Sequence, residues 1–178
     1  MSYRVIAAIK GIAFANKKGY KFDLILAGKI EKKVLANFFK LAEHLDIKDY
    51  LFYKGTYNQN NAPKIYQSSD AYIMLKYKDP SPNVVIEAMS CGLPILFSLS
   101  GGVPELVGEK SGVGLKVKDT WTRGDIVPKT NHIGEGMIKI FKKHKFFALN
   151  ARNRAVQNFD IAHWIKRHQI FFDQYLIK

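Results

Sequence analysis

Two rhythms of apolar residues alternate along the chain. Short unbroken runs occupy residues 22–28, 50–54, 71–75 and 94–98, with a weaker one at 114–117. Runs of this length, bounded by glycine and polar residues, predict buried strands. Between them, apolar residues recur every three or four positions, which predicts helices over 3–17, 31–45, 62–67 and 83–91. Val5, Ile6, Ile9, Ile12 and Ala13 share one face of the first helix, with Ser2 placed to cap it. Pro82 just before the fourth helix and Gly92 just after it frame that helix on both sides. From Ile133 onward the spacing is helical throughout, over 133–143, 147–157 and 161–177. Ile161, Trp164, Ile165, Phe172, Tyr175 and Leu176 mark one face of the last helix, which is expected to pack on the core. Residues 119–131, rich in Thr, Asp and Lys, read as a surface loop. The expected fold is α/β, a Rossmann-like parallel sheet flanked by helices. Residues 1–178 form a single domain, with 133–178 a helical C-terminal region and no internal repeat or boundary.

Composition narrows the chemistry. With 178 residues, 47% of them hydrophobic and 24% charged, the chain is globular rather than disordered. A single cysteine, Cys91, excludes a disulfide framework and a cysteine-rich zinc site. Cys91 sits at an apolar helix end and reads as a small core residue. His44, His132, His144, His163 and His168 show no metal-ligand spacing, so no metal is expected. No run of about 18 apolar residues is present. The opening Met-Ser-Tyr-Arg lacks the apolar core of a signal peptide, and the expected location is the cytoplasm.

Charge is the unusual property: 28 basic residues against 15 acidic ones, a net +13. Only 5 of the basic residues are Arg, and the excess is spread evenly between the halves. Both features argue against sequence-specific nucleic-acid reading, so no nucleic-acid partner is expected. A basic surface near anionic lipid or a polyanionic substrate fits better, and would suit peripheral contact with a membrane surface. The segment 141–147, Phe-Lys-Lys-His-Lys-Phe-Phe, is either a solvated cationic face with its apolar side in the core or such a membrane patch.

The informative stretch runs from Asp79 through Pro94, followed by Gly101-Gly102-Val103-Pro104-Glu105. In an open parallel sheet, ligands sit beyond the carboxyl ends of the strands. The helix beginning with Asn83, Val84 and Val85 presents unpaired N–H groups there, which favour an anion such as a phosphate or diphosphate. Asp79 precedes this helix, and Glu87 lies one turn inside it on the face of Asn83. Carboxylates accept hydrogen bonds from hydroxyls, so sugar or ribose hydroxyls suit both acids. On spacing alone, Glu87 reads equally well as a solvated acid favoured by the helix dipole.

These residues also carry a resemblance. The acid pair Asp79 and Glu87, the run Glu-Ala-Met-Ser-Cys-Gly-Leu-Pro over 87–94, and Gly-Gly-Val-Pro-Glu over 101–105 resemble the C-terminal, donor-binding lobe of retaining GT-B glycosyltransferases of the group 1, family 4 type. The resemblance extends from about Tyr3 to Tyr175. It implies that Asp79 contacts the donor sugar as the catalytic-site acid, and that Glu87 binds the ribose hydroxyls. It places Ser81, Asn83 and Val84 at the turn facing sugar and diphosphate, where Pro82 has no N–H to offer. Gly28, Gly55 and Thr56 fall at strand ends where the nucleotide base would pack, although Ile30 stands where the family often has glycine. For Gly28 and Gly55 a plain turn role is an equal alternative, and for Gly101 and Gly102 a tight turn is expected.

The implied reaction is transfer of a sugar from a nucleotide diphosphate donor, most commonly a UDP-sugar, to a glycan or lipid-linked acceptor, without a cofactor. The resemblance also implies a strand upstream of Tyr3, with its loop of diphosphate-clamping Arg and Lys, and an N-terminal acceptor lobe. This sequence contains neither. The chain alone is therefore expected to bind nucleotide weakly and not to transfer, and to meet an N-terminal lobe or a second copy as partner. The alternative is a non-catalytic binding or assembly subunit completed by a separate chain.

Overall fold

The computed structural model describes residues 2–120 and 126–176. Along the chain run α1 (Ser2–Lys17), β1 (Leu24–Leu26), α2 (Lys32–His44), β2 (Leu51–Tyr53), α3 (Ala62–Gln67), β3 (Tyr72–Met74), α4 (Asn83–Ser90), β4 (Ile95–Ser98), α5 (Val103–Val107), β5 (Gly112–Leu115), α6 (Thr130–Lys142), α7 (His144–Phe159) and α8 (Ile161–Leu176). The strands are shorter than their apolar runs because only the central residues of each run meet a neighbour in register. The last strand ends two residues before the expected 114–117 run does, and α6 begins inside the expected loop. Residues 121–125 of that loop, and Ile177 of the last helix, lie outside the described residues.

Every strand pair is parallel, as expected, but the sheet is divided. β1 pairs only with β2, and β3–β4–β5 form a separate three-stranded sheet. All four residues of β4 are buried, since it lies between two strands and under helices on both faces. One core joins α1, α2 and α6 to the strands through Ile9, Ile12, Leu26, Leu51, Leu96 and Ile133. A second packs α4, α5 and α7 on the opposite face around Val85, Met89, Ile95, Phe97, Val107 and Ala151. Arg154 ties α7 to α5 by donating to the Leu106 and Glu105 carbonyls at 2.7 and 2.6 Å. Arg152 donates to Ser90 at the end of α4 at 2.6 Å.

The first core spans both sheets, and its centre is a close crossing of α1 and α6. A β-carbon on Gly11 would run into the side chain of Ile133, and one on Gly134 would meet the Phe14 ring and the Gly11 carbonyl. Glycine at these positions lets the two helices approach nearly backbone to backbone.

Beyond the expected turn at Gly101 and Gly102, the last three residues of the Gly-Gly-Val-Pro-Glu segment open α5, with Pro104 in the first turn where its missing N–H costs nothing. One expectation changes. The aromatic face of α8 does not pack on the core: no residue of α8 is buried, and Trp164, Phe172 and Tyr175 are about half exposed or more. Within 141–147 only Phe147 is buried, while Phe141 and Phe146 are exposed and Phe141 meets Tyr20 and Phe22 edge to face.

Gly134→Ala should lower folding stability by about 1–3 kcal/mol, the usual cost of overpacking a tight contact, despite the better helix propensity of alanine. Chemical denaturation against the parent chain measures it; an unchanged midpoint would show that the crossing is loose.

Candidate functional site

The site-forming segment is the connection from β3 to α4. Met74 is buried at the end of β3, and the chain then leaves the sheet for eight residues before α4 begins. Pro82 starts the helix from an extended conformation (φ −76°, ψ 114°) and accepts from the Val85 N–H at 3.0 Å. Val85, Ala88 and Met89 anchor α4 in the core, which fixes the direction of its N-terminus. Asn83 is exposed and Val84 half-buried, and their amides have no acceptor among the described residues. Ser81 is exposed just before them.

Among the described residues, Asp79 is the one charged residue that is buried. Its Oδ2 lies 2.9 Å from Lys76 Nζ, an ion pair within the same loop. The loop backbone is pinned from the far side by the 100–102 turn. Lys78 N–H donates to Ser100 Oγ at 3.1 Å, and Gly102 N–H donates to the Asp79 carbonyl at 2.9 Å. Gly101 adopts φ +62°, and β-carbons on Gly101 and Gly102 would collide with the backbones of Asp79 and Pro80. The glycine pair is thus the seat on which the acidic loop rests. It also makes a tight turn, as its sequence suggests.

Glu87 is exposed on α4 and accepts a hydrogen bond at Oε2 from Tyr66 Oη, 2.8 Å away. Tyr66 comes from α3 and is itself buried, packed edge to face on Tyr72 with ring centroids 6.1 Å apart. Burial first, then the bond to Glu87, pushes the Tyr66 hydroxyl far above the ordinary tyrosine range, so it stays a donor at any physiological pH. Burial, followed by the charges of neighbours including Tyr57, Glu87 and Asp79, raises Tyr72 to about 12. Tyr66 and Tyr72 thus stand as a packed phenolic pair, with the Tyr66 hydroxyl on Glu87.

Gly28 and Gly55 meet at the carboxyl ends of β1 and β2. Gly28 N–H donates to the Gly55 carbonyl at 2.8 Å, and Tyr53 Oη donates to the Gly28 carbonyl at 2.9 Å. Both glycines have positive φ, +119° and +76°, and open space where a β-carbon would stand. Thr56 follows, exposed. Gly28 and Tyr66 line one cavity of about 1140 Å³ together with Tyr57, whereas Asp79, Ser81, Asn83, Val84, Glu87, Gly55 and Thr56 do not line it. Tyr66 is the physical link, with its ring on the cavity and its hydroxyl on Glu87. Among the described residues no cluster of His, Cys, Asp and Glu is suited to a metal ion. Burial raises the Cys91 thiol above its ordinary value, against a lowering by Arg152, which leaves it a poor nucleophile.

Spacing within the sequence does not reveal Tyr66, Lys76 or Ser100. Tyr66 stands 21 positions before Glu87 on a different helix, and nothing local marks it. Lys76 stands three residues before its partner, a spacing too common to single it out.

Two substitutions separate these supports. Gly102→Ala should destabilise the fold by about 1–3 kcal/mol by displacing the Pro80 backbone, measured by denaturation. Tyr66→Phe keeps the ring contact with Tyr72 and removes one donor to Glu87, so the loss should be smaller, about 0.5–1.5 kcal/mol. The reverse ranking would show that the glycine seat yields easily.

The profile of the family described as glycosyl transferases group 1 matches residues 4–146. An uncharacterized glycosyltransferase of Haemophilus influenzae is 38% identical over 96 residues, which make up 53% of this chain and 26% of that protein. Anabaena HepE in complex with UDP superposes with a TM-score of 0.70 at 18% identity, over 92% of this chain and 44% of HepE. The C-terminal domain of a group 1 glycosyl transferase, LpcC from Francisella tularensis, gives a TM-score of 0.70 at 15% identity, over 88% of this chain and 79% of that one. The chain therefore spans under half the length of HepE and about a quarter of its Haemophilus relative. With most of its length inside the matched region, this chain belongs to the group 1 glycosyl transferase family.

Proposed function

We propose that residues 1–178 are the nucleotide-sugar-binding, C-terminal lobe of a retaining GT-B glycosyltransferase of the family 4 type. The observation that carries this reading is Glu87, held by Tyr66 one turn inside α4, beside the unpaired amides of Asn83 and Val84. A carboxylate with one oxygen already engaged presents its remaining lone pairs to vicinal hydroxyls, and a ribose offers such a pair. The amides and the dipole of α4 receive the diphosphate, with Ser81 at the same turn. Asp79, braced by Lys76 and the glycine seat, faces the donor sugar. Gly28, Gly55 and Thr56 border the base. HepE was solved with UDP and, separately, with UDP-glucose, which supports a uridine diphosphate sugar as donor.

In the reaction, the bond between the anomeric carbon and the diphosphate oxygen breaks. A hydroxyl of a glycan or lipid-linked acceptor forms the new bond on the same face of the sugar and releases its proton. The α4 amides stabilise the negative charge that develops on the leaving diphosphate. The acceptor is held by a separate lobe, without which the advantage of proximity is lost. The reaction uses no cofactor and takes place in the cytoplasm, with the basic surface lying against an anionic membrane. Among the described residues no helix is long and apolar enough to cross a membrane.

Glu87→Gln should weaken UDP binding roughly tenfold or more, the loss of a charge-assisted bond of about 1.5–3 kcal/mol. The loss should be larger for UDP than for its 2′-deoxy analogue, measured by calorimetry; equal losses would remove the ribose role. Asp79→Asn, placed in an enzyme with both lobes, should reduce turnover and leave the Kd of UDP nearly unchanged. Abolished UDP binding in a folded Asp79→Asn protein would reassign the residue to the nucleotide.

A further inference from the structure

The corner where α6 ends and α7 begins combines apolar exposure with concentrated charge. Phe141, Phe146 and Leu149 are each about half exposed or more. Phe146 and Leu149 stand three apart on α7, so they share one face of its first turns. The turn between α1 and β1 comes alongside. Tyr20 and Phe22 stack there with ring centroids 6.1 Å apart, and Phe141 meets both edge to face at 5.8 and 5.9 Å. Lys142 Nζ lies 5.9 Å from the centre of the Tyr20 ring. Residues 17–23 and 141–149 together hold six lysines and one acid, Asp23. Lys18 is partly countered by Glu135 at 3.6 Å. Lys142, Lys143 and Lys145 are exposed and form no ion pair among the described residues. Phe146, Leu149 and these three lysines do not line the 1140 Å³ cavity, so their exposure does not arise from it.

Phe22 leads into β1, and His144 Nε2 donates at 2.8 Å to the carbonyl of Asp70, two residues before β3. The corner therefore sits at the amino ends of the strands, away from the candidate site at their carboxyl ends. Phenyl and leucyl groups offer no hydrogen bonds and gain only by leaving water. Lysine stems lie along an apolar layer while their ammonium groups stay at its polar boundary. A bilayer with anionic headgroups offers both layers at once, acyl chains for the apolar residues and phosphates for the lysines. A nucleic-acid duplex would engage the lysines and leave Leu149 and both phenyl rings in water. The other exposed apolar face, on α8, sets Asp173 against Lys166 and Arg167 and so has less charge to offer an anionic surface.

We propose that this corner is a membrane-docking surface, which seats Phe141, Phe146 and Leu149 at the headgroup boundary of a bilayer containing anionic phospholipid while Lys142, Lys143 and Lys145 pair with its phosphates. The carboxyl ends of the strands then face water, from which a soluble donor approaches. This corner gives a definite place to the membrane contact of the reading above, on which it rests, and needs none of the nucleotide chemistry.

The test is sedimentation of the 178-residue chain with vesicles of phosphatidylglycerol and phosphatidylcholine, and with vesicles of phosphatidylcholine alone. The chain should partition into the anionic vesicles at least about tenfold more strongly. Lys142→Glu, Lys143→Glu and Lys145→Glu together should lower that partitioning by at least about tenfold. Phe146→Ser with Leu149→Ser should lower it by about tenfold, through lost apolar contact at unchanged charge. Trp164→Ser with Phe172→Ser on α8 should leave it unchanged. Equal partitioning into both vesicle types, no loss in either corner variant, or a loss on the α8 substitutions would each overturn the proposal. Binding of an unrelated DNA duplex that needs the lysines but not Phe146 and Leu149, without vesicle binding, would reassign the corner to nucleic acid. UDP binding by calorimetry should be the same in parent and corner variants; its absence from the parent would remove the nucleotide reading and leave the vesicle result intact.

Discussion

The close crossing of α1 and α6 links the two sheets. Among the described residues β1–β2 and β3–β4–β5 share no ladder hydrogen bond, and the core around that crossing reaches both. That crossing is close only because Gly11 and Gly134 face each other without side chains. Ile9, Ile12 and Ile133, all essentially inaccessible, fill the space around the contact and connect it to Leu26 on one side and Leu96 on the other. Dispersion across such a contact is cumulative and falls off steeply with separation. A shift at the crossing would therefore be felt in both sheets.

The candidate site inherits this dependence. Its acids belong to the β3–β4–β5 half, on the loop before α4 and on α4 itself, whereas Gly28, Gly55 and Thr56 belong to the β1–β2 half. A ligand reaching from one set to the other spans the division in the sheet. Tyr66 eases this geometry because α3 follows β2 and precedes β3, so a residue on the connection between the halves contacts Glu87 directly. The 100–102 turn adds a second brace within the larger half. Both supports act on backbone or on fixed side chains, which keeps the two carboxylates in place before any ligand arrives.

Much of this arrangement is legible in the sequence, for reasons that can be named. Apolar runs and helical spacing locate every strand and nearly every helix, because burial imposes those periods directly. α5 escapes because five residues opened by Gly-Gly and Pro carry too little periodicity to signal a helix. The division of the sheet escapes for another reason: a buried apolar run reports that a strand is covered, not which strand lies beside it. Glu87 and Asp79 stand out because acids near a helix N-terminus that favours anions call for a partner. Tyr66 does not, since a tyrosine on a short helix is ordinary until folding brings it within 2.8 Å of a carboxylate.

The last helix shows the same limit from the other side. The stripe of Ile161, Trp164, Ile165, Phe172, Tyr175 and Leu176 has the spacing of a packed face, yet all six residues are exposed. Periodicity records that a helix has an apolar side and carries no information on what that side meets. The rings instead meet one another along the helix, as Trp164 stacks on His168 at 3.7 Å and Phe171 lies 4.9 Å from Tyr175. Such contacts reduce the apolar surface left in water without burying it. The domain is therefore stabilised by its two cores and the α1–α6 crossing, and α8 adds little to either. Truncating α8 should cost the fold less than a single side chain added at Gly134, because stability follows buried contact and not the number of apolar residues.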